Sequence, residues 1–193
     1  MKNKMTYGVG YDSGGIYPKT VKNKHTKEYA VWYSIMNRCY SPKYLEKRPT
    51  YKGCEVCLEW HDFQNFAKWF SVHGSYEKGF QIDKDLLCLG NKIYSPETTC
   101  FVPSAINNLV IDSGTIRGDT PIGVSFRNDS GSYKAQINIS GKTKNIGSYS
   151  TAQEAHQAYV IAKEAYVKEV ANKWRGRIDE RVYDALIKWR VNS

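Results

Sequence analysis

"GVSFRNDSGSYKAQINISGKTKNIGSYSTAQEAHQAYVIAKEAYVKEVANKW", residues 123–174, decides the architecture of the C-terminal part. "IGVSFR", "SYKAQINIS" and "KTKNIGSY" read as three short strands, with Gly131 and Gly141 in the two turns between them. That spacing predicts an antiparallel meander. A long helix follows. Thr151 and Glu154 form a T-x-x-E capping box, which satisfies two orphan amides at the helix start. Ala155, Ala158, Tyr159, Ala162, Ala165 and Tyr166 form its apolar stripe. Small alanine side chains let a helix lie close against a sheet.

Side chains alternate across a strand. If Val124, Phe126, Ala135, Ile137 and Ile146 face the helix, the opposite face carries Ser125, Arg127, Lys134, Gln136, Asn138 and Asn145. Thr143 belongs beside them, with Lys142 and Lys144 near the turn. The face is basic and amide-rich, and the one nearby acid, Asp129, falls in a turn. Such side chains can pair with phosphates and with purine edges in a major groove. The expected partner is double-stranded DNA.

Working outward, "IDERVYDALIKWR" predicts one further helix, with Val182, Ala185, Leu186 and Trp189 inward. "IDSGTIRGDTP", residues 111–121, has the composition of a linker. Before it, "KEYAVWYSIMNRCY" spaces Trp32, Ile35, Met36 and Cys39 on one helical face. "SPKYLEKRPTYKG" reads as a loop, "CEVCLEW" as a short strand, and "HDFQNFAKWF" as a second amphipathic helix. "IDKDLLCLGNKIYSPETTCFVP", residues 82–103, reads as strand, turn at Gly90 and Asn91, strand, and a helix opening at Pro103. Residues 1–28 carry six lysines against Asp12 and Glu28, among scattered glycines, and residues 1–27 read as a flexible basic arm.

The formal net charge of +9 directs attention to polyanions. No apolar run is long enough to span a membrane. The lack of an apolar leader gives a cytoplasmic expectation. Five cysteines, an odd number, argue against a disulfide framework. Cys54 and Cys57 have the spacing of half a structural zinc site, or serve as small apolar core residues.

Residues 123–174 resemble the ERF/APETALA-type DNA-binding domain, which also occurs in phage proteins. The carrying elements are the opening "GV", "YKAQI", "NIGSY", "STAQEAHQAY" and the closing "AN". The resemblance implies a three-stranded sheet that enters the major groove, backed by the helix. Ser125, Arg127, Lys134, Gln136, Asn138 and Thr143 match its DNA-facing places. Plant members have arginine where Ser125 and Asn138 stand, and tryptophan where Asn145 stands. The target sequence therefore does not carry over.

"YAVWYSIMNRCYSP", "PTYKGCEVCLEWHDFQNFAKWF" and "IDKDLLCLGNKIYSPETTCFVPSAINN" resemble phage HNH-type homing-endonuclease-like proteins. That resemblance implies a ββα-metal module using Mg. Asp83 would be a metal ligand, Asn91 the middle asparagine, and Asn107 or Asn108 the last ligand. Lys84 stands where the family has its catalytic histidine. A lysine is protonated at neutral pH and is a poor base unless buried. Asp85, or His73 from the preceding loop, is the remaining candidate base.

The expected fold is α+β: a degenerate HNH-like module over 28–110, a linker over 111–121, a sheet-and-helix DNA reader over 122–175, and a C-terminal helix over 176–193. The expected function is sequence-selective DNA binding, in a metal-dependent endonuclease or in a regulator that binds without cutting. A different class remains open: a phage protein that inhibits an acidic host protein.

Overall fold

The computed structural model describes residues 5–75, 77–110 and 120–191 of the chain. It is a mixed α/β protein with small sheets, dividing into two compact units, Met1–Asn107 and Asn108–Ser193. Of the expected linker, residues 111–119 lie outside the described residues.

In the first unit, β1 (Thr20–Val21) and β2 (Lys24–His25) form a small hairpin ahead of α1 (Lys27–Tyr40). Thr26 caps α1 by accepting from the Tyr29 amide. The expected stripe is inward: Trp32, Ile35, Met36 and Cys39 are all buried. The stretch from Ser41 to Gly53 is more regular than a loop. Ser41 caps α2 (Pro42–Lys47) with Pro42 in its first turn, and a 3-10 turn follows over Pro49–Tyr51. After β3 (Glu55–Val56) and a second 3-10 turn, Asp62 caps α3 (Phe63–His73). Phe63, Phe66, Ala67, Trp69 and Phe70 of α3 pack with α1 and Trp60 into one aromatic core.

Segment 82–103 does not form the hairpin expected of it. β4 (Phe80–Asp83) pairs antiparallel with β6 (Cys100–Pro103), while β5 (Ile93–Tyr94) pairs in parallel with β3. Residues 84–99 are thus a long excursion between partner strands. α4 (Ser104–Val110) starts after Pro103, which ends β6.

The described part of the expected basic arm is docked on the core. The Tyr11 amide donates to the His61 carbonyl (2.8 Å), and the Phe63 amide donates to the Tyr11 carbonyl (2.9 Å). Gly10 lies so near α1 that a Cβ there would come within 2.7 Å of the Met36 methyl and 2.8 Å of Trp32. Tyr7, Val9 and Tyr17 pack on the same core. Aromatic and apolar contacts outweigh the lysine content that suggested a tail.

The second unit holds β7 (Val124–Arg127), β8 (Ser132–Ile139) and β9 (Lys142–Tyr149), an antiparallel sheet in that order. α5 (Ala152–Trp174) packs across it, its capping box formed in both directions by Thr151 and Glu154. Val124, Ala135 and Ala155 are the buried centre of this packing. The stripe of α5 runs through Ala155, Tyr159, Val167 and Ala171, and Ala165 is exposed. These positions recur at multiples of four residues, with Ala158, Ala162 and Tyr166 of the expected stripe half-buried beside them. α6 (Glu180–Lys188) belongs to this unit, burying Val182 and Leu186 beside α5.

Candidate nucleic-acid interface

The outer face of the β7–β9 sheet is set by register. Residues directly opposite in an antiparallel pair share a face. Ser125 pairs with Lys134, and Lys134 with Ser148; Arg127 pairs with Ser132; Gln136 pairs with Asn145; Asn138 pairs with Thr143. These side chains point away from the Val124–Ala135–Ala155 centre. Arg127, Ser125, Asn138, Thr143, Asn145 and Ser148 are exposed, and Lys134 and Gln136 half-buried. No aspartate or glutamate occupies any of these positions.

Lys142 and Lys144 fall on the other side. They pair with Ile139 and Ile137, so they share the face that holds α5. Strict alternation from Thr143 and Asn145 forces this. A β-bulge then intervenes: Ala135 pairs with Gly147 and Gln136 with Asn145, which leaves Ile146 as the extra residue. The bulge turns Ser148 outward and Tyr149 inward, beside Tyr133. Ser148 was missed from the sequence. The available signal was Ile146 and Tyr149, two apolar residues three apart, which an unbroken strand cannot place on one face.

Hydrogen bonds sort the outer face further. The Asn138 Oδ1 accepts from the Gly141 amide (2.9 Å) in a two-residue turn where Ser140 and Gly141 both have positive φ. Asn138 is therefore partly used as a turn brace. Arg127 donates through Nε and Nη2 to the two carboxylate oxygens of Asp129, at 3.1 and 2.6 Å. This pair holds the Asp129 carboxyl below the usual range. Gln136 and Asn145 lie side by side, and among the described residues neither side-chain amide has a protein partner. Among the described residues, the Lys134 ammonium also has no protein partner.

In the first unit, residues 83–91 are engaged with one another. Asp83 ends β4, and its Oδ1 accepts from the amides of Asp85 (2.9 Å) and Leu86 (2.7 Å). Burial holds its carboxyl above the ordinary value, and those two bonds offset only part of the rise. The Lys84 side chain is buried, its Nζ donating to Asp85 Oδ1 and to the Asn91 carbonyl, both at 2.6 Å. Asn91 Nδ2 donates to the Lys84 and Ile93 carbonyls, and its Oδ1 accepts from the Ile93 amide. Lys84 thus acts as an internal clamp between the two ends of the loop. Asn107 Nδ2 donates to Gln81 Oε1 at 3.2 Å. Gln81, two residues before Asp83 and on its side of β4, was not picked out from the sequence. Asn108 is exposed on α4. His73 stacks on Trp69 at 5.7 Å.

Cys54 is buried and Cys57 half-buried, on either side of β3. Burial pushes the Cys57 thiol up. Burial, with Cys54 nearby, pushes the Cys39 thiol up to about 12.

No helix among the described residues is long and apolar enough to cross a membrane. Comparison with family models, curated proteins and solved structures finds no match to this chain.

Proposed function

We propose that the protein binds double-stranded DNA sequence-selectively through the outer face of the β7–β9 sheet. The observation that carries this reading is the acid-free row of basic, amide and hydroxyl side chains on that face, backed by α5. Strands about 4.8 Å apart set β7 and β9 about 10 Å from each other, within a major groove about 12 Å wide. The adjacent Gln136 and Asn145 amides suit adenine edges, and Arg127 suits guanine O6 and N7. Lys134 and the hydroxyls of Ser125, Thr143 and Ser148 suit phosphates, which set the docking register. Arg127 reaches a base only by exchanging Asp129 for it. Lys142 and Lys144 are not part of this reading surface. The assignment agrees with the ERF/APETALA-type resemblance of residues 123–174.

The HNH-type resemblance of the first unit implies cleavage with Mg held at Asp83. The side chains present are a poor fit to that chemistry. One oxygen of Asp83 serves the loop, Asn91 has its amide committed to the backbone, and Lys84 is clamped inside. A general base must reach water; Asp85 is half exposed but one of its carboxylate oxygens is taken by the Lys84 ammonium, and His73 is stacked on Trp69. No hydrolytic step is derived through residues 83–91. DNA binding without cutting is the function we infer.

Selection of bound sequences from a random duplex pool, followed by gel shifts on the winners, tests the reading. Enrichment of a defined motif, lost when Arg127 and Gln136 are both changed to Ala, supports it. An unaltered shift in that double variant refutes the sheet assignment. Absence of any duplex retention at low salt refutes DNA binding altogether. Plasmid incubated with Mg or with EDTA should stay supercoiled in both; nicking only with Mg refutes the binding-only conclusion.

A further inference from the structure

A second charged surface lies on the first unit, where α1 meets α2. Asn37, Ser41, Lys43, Tyr44 and Lys47 line a concavity of about 240 Å³. Lys43 and Lys47 are four residues apart on α2, hence on one helical face. Both are exposed, and among the described residues neither ammonium has a carboxylate partner. The chain from Asn37 to Lys52 carries Arg38, Lys43, Lys47, Arg48 and Lys52 against Glu46 alone.

The turn that follows α2 is tied to its neighbours by aromatic and polar contacts. The Tyr44 ring meets Tyr51 edge-on at 5.6 Å, tying α2 to the following 3-10 turn. The Arg38 guanidinium lies 5.9 Å over Tyr51, and its Nη1 donates to the Tyr94 hydroxyl at 3.4 Å. Lys92 donates to the Thr50 carbonyl at 3.0 Å, adding a further cation beside the turn. Arg38 and Lys92 are thus used in holding the surface together. Lys43 and Lys47 serve no such purpose.

Two lysines one turn apart on α2, both lining the concavity, suit oxyanions. A lysine ammonium carries no geometric preference that could read a base, but it binds phosphate as a point charge. The Asn37 amide and the Tyr44 hydroxyl are donor types that commonly reach phosphate oxygens. We propose that this α1–α2 surface is a second DNA contact, which grips backbone phosphates without regard to sequence. The inference rests on the DNA-binding reading of the sheet. It assigns the first unit an affinity role and leaves selectivity to the second.

Salt titration separates the two roles. Each phosphate neutralised contributes about 0.9 to the slope of log affinity against log salt. Full-length Lys43→Gln/Lys47→Gln protein, measured by anisotropy on random duplex DNA, should lose about 1.8 from that slope. Between 50 and 200 mM salt its affinity should then fall about 12-fold less than that of the unaltered chain. Its ranking of selected over random sequence should not change. A charge-matched control, Lys68→Gln/Lys78→Gln, alters exposed lysines elsewhere on the same unit. It should keep most of the slope. Equal melting temperatures would verify that both variants fold.

An unchanged slope in the Lys43/Lys47 variant overturns the proposal while leaving the sheet reading intact. An equal loss in the control also overturns it, because the effect is then one of net charge. Failure of the unaltered protein to bind any duplex overturns the sheet reading, and this proposal with it.

Discussion

Gly123 joins the sheet to its supporting helix at close range, and Gly123→Ala tests that joint. Its φ is +79°, and a Cβ there would lie 2.1 Å from Tyr159 Cδ2 and 2.2 Å from Cγ. Carbon atoms in ordinary contact are about 3.5–4.0 Å apart, so either the ring or β7 must move by more than 1 Å. Tyr159 is buried, so the ring has little room. Left-handed backbone costs a side chain about 1–2 kcal/mol, and overpacking a filled site costs about 1–3 kcal/mol. Together they predict a loss of about 2–5 kcal/mol. For a unit of this size, each kcal/mol moves the melting point by about 4–8 °C. The matching transition should therefore drop by at least about 8 °C. Gly141→Ala is the internal control. Its φ is +80°, but nothing lies within 4 Å of its added Cβ, so the backbone cost of about 1–2 kcal/mol stands alone. Calorimetry should resolve the second unit's transition in both variants. A Gly123→Ala melting point within about 3 °C of the unaltered chain, or no lower than that of Gly141→Ala, would refute the packing that orients Ser125 and Arg127.

Asp129→Ala frees Arg127 from an exposed ion pair and removes an acid from the rim of the face; duplex affinity should rise on the order of two- to fivefold in anisotropy titrations at low salt, and a fall would contradict the assigned role of Arg127. Asp83 has a folded pKa above its ordinary value, so the folded state binds its proton more readily than the unfolded chain does. Its ionised form therefore costs stability at neutral pH, and that cost fades as pH falls through the raised pKa toward 3.8. Asp83→Asn keeps the oxygen that accepts from Asp85 and Leu86. It should unfold at higher urea than the unaltered chain at neutral pH, with the gap closing toward the ordinary carboxylate range; a lower midpoint at neutral pH would reverse the sign. Lys84→Met removes the clamp on the 84–99 excursion and should cost about 1–3 kcal/mol by denaturant titration, a figure discounted because Asp85 is half exposed.

The second unit was the more legible half, for a physical reason. Its sheet is a meander with neighbouring strands joined by short turns, so alternation, glycines and the capping box each specify local structure. What escaped was the extra residue at Ile146, because a bulge breaks the period on which the reading relies. The first unit yielded α1 and α3 from their apolar spacing. Its strands are two to four residues long and pair across large sequence separations, and no local pattern encodes such partners. The docked segment before Thr20 was misread because backbone hydrogen bonds from Tyr11 anchor it, and these leave no trace in composition. At the loop of residues 83–91, the residue types were visible but their direction was not. Lys84 follows a strand end and could have faced water; the Asn91 carbonyl and Asp85 draw it inside instead.

The clasp of Tyr11 between His61 and Phe63 has a kinetic meaning. A loose cationic tail can capture a polyanion well beyond the body of its protein and reel it in. Here Lys19 is held by Asp12 at 3.0 Å, Lys27 donates to the Glu77 carbonyl at 3.1 Å, and Lys22 and Lys24 ride on the hairpin of β1 and β2. Those four charges act at fixed positions. Under the proposed DNA binding, Lys22, Lys24 and Lys27 add to the field that steers the duplex without extending the unit's reach, while Lys19 is offset by Asp12, and that steering weakens as added salt shortens the Debye length.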